Sequence, residues 1–408
     1  MKDTQLYERI LGLEKPWRVT GVRLDEVKGE MRVSVECDAV WACPQCARRM
    51  HVHSHEAREW RHMDTCQYKT IIESYALRVE CEEHGTLTVQ VPWAEKYGRE
   101  SRLFESKAID VMRQTSGKAA GDILGITWDE ADGIKQRAVD RGLARKTWEV
   151  PKAVCLDEKS AGRGHDYVTV ATKVEGGKAV VDDVVEERTK EAADSYFGRY
   201  TKEELAGVKS IGMDMWKPYF DSAISHVPDA AEKIVHDRYH LVSHLNNAVD
   251  EVRRGEHAGL LAKGDSQLKR TRFLWLHGKE NLPPEKRRQL KDLVAGKLKT
   301  AKAWMLKELF RDMYDCTDGA EAAVYFKDWC RRAMRSRIEP ILKVARMFKK
   351  HAANILTWFT HRLSNSYAEG INNLIQTIVK KAYGYRNRER FRRDILFHAG
   401  GLDLYPRI

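Results

Sequence analysis

At 408 residues the chain exceeds one ordinary domain, so two to four modules are expected. Its 42% hydrophobic content supports real cores, its 32% charged residues point to a soluble protein, and no apolar run reaches the ~18 residues that would span a membrane. Eight cysteines are too sparse for a disulfide scaffold and the N-terminus lacks a secretory signal, so a reducing, intracellular location without a membrane partner is expected. The net charge of +11 is concentrated: residues 251–362 hold 26 Lys and Arg against 13 Asp and Glu, and the remainder holds 45 against 47. Because Trp275, Trp304, Trp329 and Trp358 interleave the basic stretch, it reads as a nucleic-acid contact. A solvated helical surface is the plainer alternative.

Residues 1–98 read as mostly β, with alternation in WRVTGVRL, EMRVSVEC, YALRVEC and LTVQVPW. They also carry two metal-type knuckles, Cys43-Pro-Gln-Cys46 and Cys81-Glu-Glu-His84. Two such pairs close a tetrahedral Zn²⁺ site with no open position, which makes the metal structural. Cys37, Cys66 and the histidines at 51, 53 and 55 compete as ligands, and unrelated buried cysteines remain the alternative.

A helical period follows over residues 100–146. Within it, residues 116–145 have the layout of a helix-turn-helix: a short small-residue helix, a turn at Gly125, then a longer helix. Ile123, Ile126, Ile134 and Ala138 are expected inside, leaving Lys135, Arg137, Arg141 and Arg145 for phosphates or bases. An ordinary helical linker fits the same pattern.

Residues 152–187 return to strands, with a hairpin turning at Glu175-Gly176-Gly177. Strands and helices then alternate to about residue 238, which implies an α/β core with some parallel pairing. From there to the end the period is helical, broken mainly at GKENLPPEK. Asp157 ends the apolar strand AVCLDE and Asp214 ends SIGMD, the place where open α/β sheets set their sites. Glu369 lies in a predicted helix beside Asn365, Asn372 and Asn373. Three converging carboxylates repel one another unless hard cations such as Mg²⁺ or Mn²⁺ neutralise them. Glu158, Asp221 and Asp237 compete for the same roles, and an acidic residue ending a strand is more often a cap.

These residues resemble the transposases of the ISL3 group of bacterial insertion sequences, the IS204/IS1001/IS1096/IS1165 type. The matching segments are CPQC, HSHEAREWRHMD (53–64), LDEKSAGRGHDYVTV (156–170), GMDMWKPYFDSAISHVPDA (212–230), IVHDRYHLVSHLN (234–246) and SNSYAEGINNLIQTIVKKAYGYRN (364–387). The resemblance runs from about residue 40 to the C-terminus. It implies an α+β multidomain chain: a zinc-binding β-rich domain (1–98), a helix-turn-helix region (99–150), an RNase H-like catalytic core (first part 151–250), a basic all-helical insertion (251–360), and core helices carrying Glu369 (361–408).

The catalytic triad implied is Asp157, Asp214 and Glu369, binding two Mg²⁺ (or Mn²⁺) ions per site, with structural Zn²⁺ on Cys43, Cys46, Cys81 and His84. His84 departs from the cysteine common in relatives, and imidazole preserves the tetrahedral geometry. Asp237 and His240 look like a D-x2-H motif placed behind the metal ligands or against a phosphate, a structural histidine being the alternative. The implied activity is metal-dependent cleavage at terminal inverted repeats, followed by attack of the freed 3′-OH on target DNA. Double-stranded DNA is the implied partner, a homodimer or larger assembly is needed on paired ends, and the location is cytoplasmic, with the nucleoid. Two rivals stand beside this reading: an inactive DNA-binding regulator descended from a transposase, and a nuclease without joining activity.

Overall fold

A computed structural model describes residues 2–39, 41–43, 45–160, 167–363 and 366–407. The chain divides into two compact units, residues 1–147 with 402–408, and residues 148–401. Among the described residues no helix is long and apolar enough to cross a membrane.

The first unit opens with α1 (Asp3–Ile10), which the sequence reading left out. One sheet follows, from β1 (Trp17–Asp25), β2 (Glu30–Cys37), β3 (His51–Thr65), β4 (Tyr68–Cys81) and β5 (Gly85–Thr88), in the order β1-β2-β4-β3 with β5 on β4. Alternation along β2 and β4 buries Val33, Val35 and Ile72, which pack with Trp60, Trp93 and Tyr7. Three helices complete the unit: α2 (Arg102–Gln114), α3 (Gly117–Leu124) and α4 (Trp128–Arg145). Each begins where a hydroxyl accepts from the first turn, Ser101 from Phe104, Ser116 from Ala119 and Thr127 from Glu130. Gly125, at φ 64°, ends α3. Ile134 and Ala138 are buried as expected, but Ile123 is exposed and Ala120, Gly121 and Leu124 take the inner positions. At ~100° per residue, Ile123 sits roughly a quarter turn from the centre of that buried face.

The second unit is built on β6 (Ala153–Ser160), β7 (Tyr167–Glu175), β8 (Lys178–Glu186), β9 (Ser210–Met213) and β10 (Ile234–His236), in the order β10-β9-β6-β7-β8. The β6, β7 and β8 ladders are antiparallel, whereas β9 runs parallel to both β6 and β10. The β7–β8 turn uses Gly176 and Gly177, both at positive φ, as a two-residue hairpin loop demands. Between β8 and β9 lie α5 (Lys190–Phe197) and α6 (Lys202–Leu205), and between β9 and β10 lie α7 (Lys217–His226), opened by Pro218, and α8 (Ala230–Lys233). Val154, Leu156, Ile211, Met213 and Ile234 bury one sheet face against residues of α5 and α7 such as Tyr196, Phe197 and Tyr219.

A helical body follows: α9 (Arg238–Leu261), α10 (Arg272–Leu276), α11 (Pro284–Ala295), α12 (Lys299–Asp312), α13 (Gly319–Arg335), α14 (Glu339–Lys350), α15 (Ala352–Leu356) and α16 (Trp358–His361). The domain boundary expected at 250/251 falls inside α9, whose Leu241, Leu245, Val249 and Val252 keep one continuous buried face. The tryptophans of the basic stretch line the core of this helical body rather than interleave an exposed basic face. Trp275, Trp329 and Trp304 are 0%, 1% and 9% exposed, and Trp358 packs against the same core. Basic residues at this spacing coat helices whose apolar faces need large side chains. Last come α17 (Ser366–Lys381) and α18 (Arg388–Ala399), both packed on β8.

Candidate functional site

The parallel register places three aspartates side by side. Cys155 on β6 pairs with Gly212 on β9, which pairs with Val235 on β10. Two residues on, Asp214 and Asp237 follow the last residues of β9 and β10, level with Asp157, which lies within β6 rather than at its end as expected, because the β7 ladder carries that strand on to Ser160. Alternation decides their face. Val154 and Leu156 point to the α5–α7 core, so Glu158 follows them and Cys155, Asp157 and Lys159 point the other way. By the same parity Asp214 and Asp237 share the face of Asp157.

Gly212 keeps that face open. A Cβ there would lie 2.8 Å from Cys155 Sγ and 2.9 Å from Leu363 Cδ2. Leu363 therefore seats on the strand just before the chain enters α17. From α17, Asn372 Nδ2 donates to Asp157 Oδ2 at 2.8 Å, and Lys159 Nζ lies 2.9 Å from the same oxygen. The backbone N–H of Glu158 donates to Asp157 Oδ1 and that of Trp216 to Asp214 Oδ1, each at 2.8 Å. Glu369 lies three residues before Asn372, on the same side of α17. Its carboxylate is exposed and, among the described residues, unpaired. Asn365, expected beside it, falls outside the described residues, and Asp221 pairs with Lys217 on α7.

The row is electrostatically crowded. Burial above all, then Asp157, raises the pKa of Asp214, which the Trp216 N–H, His240 and Arg188 oppose. Burial raises Asp237, and Asp157 adds to it against His240 and the backbone N–H groups of α9. Asp237 caps α9 through the Tyr239 N–H, and His240 Nε2 lies 3.8 Å from its Oδ2. Glu158 is pushed up to about 6, mainly by burial and then by Asp214 and Asp157, with Arg188 opposing. Crowded oxygen donors of this kind suit a hard divalent cation. The carboxylates are not, however, drawn within 4.8 Å of one another as the cysteine cluster is.

That cluster lies in the first unit. Cys43, Cys46, Cys81 and His84 are the one group among the described residues whose potential ligand atoms all lie within 4.8 Å of each other. A tetrahedron with metal–sulfur bonds of ~2.3 Å has edges of about 3.8 Å, a little shorter where nitrogen replaces sulfur. The observed edges are 3.7 Å for Cys46 Sγ–Cys81 Sγ, 3.7 Å for Cys43 Sγ–His84 Nδ1 and 3.5 Å for Cys81 Sγ–His84 Nδ1. The Gln45 N–H points at Cys43 Sγ, and the Cys43 N–H donates to Arg48 O, which shapes the first knuckle. Burial opposes ionisation of Cys43 and Cys81, but backbone N–H groups and neighbouring ligands outweigh it and lower both thiols. The four residues fit a zinc ion, and Nδ1 is the nitrogen His84 would offer.

The α4 side chains expected to meet DNA are engaged elsewhere. Arg141, whose side chain is 7% exposed, grips Glu95 through Nε and Nη2 and also pairs with Glu105 and the carbonyl of Leu404. Arg137 pairs with Glu100 and Glu105. Arg145 reaches Asp403 and the Tyr405 carbonyl, and Lys135 is buried. A guanidinium compensated by two carboxylates offers little charge to a phosphate. The opposing glutamates lie far back in sequence, so helical periodicity alone could not reveal them.

Comparison with known proteins finds similarity to transposases. A transposase family model of the ISL3 group matches residues 154–395, which include Asp157, Asp214, Asp237 and Glu369. The zinc-finger of transposase IS204/IS1001/IS1096/IS1165 matches residues 39–84, which include all four cluster residues. The transposase for insertion sequence element IS1001 of Bordetella parapertussis is 24% identical, over 86% of this chain and 87% of its own length. The transposase for IS1557 of Mycobacterium tuberculosis is 23% identical, over 95% of this chain and 93% of its own.

Proposed function

Since the chain belongs to the ISL3 family of transposases, we propose that it cleaves DNA at the terminal inverted repeats of an insertion sequence and joins the freed 3′ ends to target DNA. The observation that carries this is the level row of Asp157, Asp214 and Asp237, tied to α17 by the Asn372–Asp157 hydrogen bond. Three antiparallel strands flanked by two parallel ones, with carboxylates at the parallel tips, support an RNase H-like core. Asp157 and Asp214 are the direct metal ligands and Glu369 completes the set. Asp237 stands beside them as a supporting carboxylate, and His240, 3.8 Å from it, balances its charge.

Two divalent cations, Mg²⁺ or Mn²⁺, supply activation of the attacking oxygen and stabilisation of the leaving oxygen when bound. The chain holds its donors ready. Lys159 and Asn372 fix Asp157 Oδ2, and the Trp216 N–H fixes Asp214 Oδ1. A protein nucleophile is not needed, and Cys155, beside Asp157, is unsuited to the role because burial raises its thiol to about 12. The zinc module and the α2–α4 helices, as a helix-turn-helix, read the repeats through positions other than Arg137, Arg141 and Arg145. The basic helices between α9 and α16 add salt-dependent phosphate contacts, and two ends held together call for at least a dimer.

The test is a cleavage-and-joining assay on DNA carrying the element's own ends, with Mg²⁺ and with EDTA. Metal-dependent products joined to target DNA establish the reading. Nicked but unjoined DNA indicates a nuclease, and binding without cleavage under Mn²⁺ indicates an inactive regulator.

A further inference from the structure

Arg188, just beyond β8, has so far entered only as a charge opposing the raised carboxyls of Asp214 and Glu158. Glu187 before it sits at φ 71°, a costly conformation for a residue with a side chain. Its N–H donates to the Tyr167 carbonyl at 3.0 Å, and its own carbonyl accepts from Thr169 Oγ1 at 2.7 Å. Thr169 is in turn bonded to the buried Tyr219 hydroxyl at 2.8 Å. This bracing turns the chain out of the strand and carries Arg188 to the carboxylates. Its Nη2 lies 3.1 Å from Glu158 Oε1 and 3.9 Å from Asp214 Oδ2, and its Cζ lies 4.1 Å from the ring centre of Trp216.

The pair is unfinished as a structural salt bridge. Arg188 Nε and Glu158 Oε2 are both buried without a hydrogen-bond partner. A buried donor left unpaired costs free energy unless something else meets it. The guanidinium thus lies over an indole, partly exposed at 27%, with its buried Nε unpaired.

Resting on the proposed function, we infer that Arg188 serves one site in two states. Before cations load, it is the counter-ion of Asp214 and Glu158. Once cations neutralise the carboxylates, the same guanidinium, kept in place by Trp216, donates to a phosphate oxygen of the bound DNA strand. The planar fork of arginine suits a phosphate as a lysine does not.

The two roles predict opposite changes in one variant. Full-length zinc-loaded protein is compared with Arg188→Ala and Arg188→Lys, first by calorimetric titration with Mn²⁺ alone, then by cleavage of end-bearing DNA at saturating Mn²⁺. Arg188→Ala binds Mn²⁺ about fivefold more tightly, because a competing positive charge is gone. It cleaves about 10²-fold more slowly, the scale of losing one charge-stabilising donor. Arg188→Lys keeps the native Mn²⁺ isotherm and recovers part of the cleavage. Weaker or unchanged Mn²⁺ binding by Arg188→Ala, or cleavage within about threefold of native, overturns the inference. If the native protein itself cuts no DNA end, the transposase reading and the phosphate role fall together, while the Mn²⁺ titration still decides the counter-ion role.

Discussion

Replacing Arg141 with methionine separates a structural arginine from a DNA-reading one. Its guanidinium is the centre of a cluster in which Glu95, Glu105 and the Leu404 carbonyl converge. Methionine keeps much of the side-chain stem and removes the charge. Glu95, at 28% exposure, relaxes into water, but Glu105, at 2%, is stranded with Arg137 Nη2 at 3.0 Å as its remaining partner. Breaking a buried pair costs ~3–5 kcal/mol, and the surviving arginine sets the value near the lower end, about 3 kcal/mol. With an m-value of roughly 2 kcal/mol/M, the urea midpoint of the first unit falls by about 1.5 M. Tryptophan fluorescence follows that transition, since Trp60 and Trp93 lie in this unit's core. In parallel, binding to end-bearing DNA is titrated against salt, where a lost phosphate contact lowers the log–log slope by about 1. The structure predicts a large midpoint shift with an unchanged slope. A midpoint shift below about 0.5 M together with a reduced slope would refute it.

Two further outcomes follow. The folded protein holds one zinc per chain at the Cys43–His84 cluster, so chelation or Cys81→Ala releases it and unfolds the knuckle region, while His84→Cys retains it; zinc analysis with circular dichroism reads both. For pH, Glu158 titrates near 6 in the fold against an ordinary 4.5, so the native state binds the extra proton and stability falls as pH rises through that window. Glu158→Gln, always neutral, gains about 2 kcal/mol at pH 7.5 in zinc-loaded protein without added Mg²⁺ or Mn²⁺, and the gain shrinks toward zero near pH 4. A pH-independent gain, or a loss at pH 7.5, contradicts the buried-carboxylate account.

What the sequence revealed depended on whether the signal was local. The knuckles Cys43–Cys46 and Cys81–His84 were legible because spacing within each pair is set by the metal. Asp214 was legible as the end of a short apolar strand, whereas Asp157 lies inside a longer one, and their alignment with Asp237 came only from the β6–β9–β10 register. Glu158, weighed as a rival to Asp157, alternates with it along β6 yet shares the counter-ion Arg188 with Asp214, which periodicity alone could not reveal. The basic residues of α4 were read as available to DNA, whereas Lys135 and the side chain of Arg141 are buried and Arg137 is ion-paired. Their partners Glu95, Glu100 and Glu105 were not foreseeable, because a helical period says nothing about what a distant segment lays against it. The tryptophans of the basic helices misled for a related reason: bulky aromatics fill a helical core as well as they stack on bases. Arg188 gave no signal, since its place depends on the left-handed Glu187 turn.

The most direct measurement is single-turnover cleavage of DNA carrying the element's ends by full-length Asp157→Asn protein in Mg²⁺, with binding to the same DNA measured alongside. Asparagine keeps the shape of the side chain and removes the charge that would hold a cation. The account predicts end binding within a few-fold of native and cleavage reduced by about 10³-fold or more. Cleavage at the native rate would show that the aspartate row is not the catalytic centre.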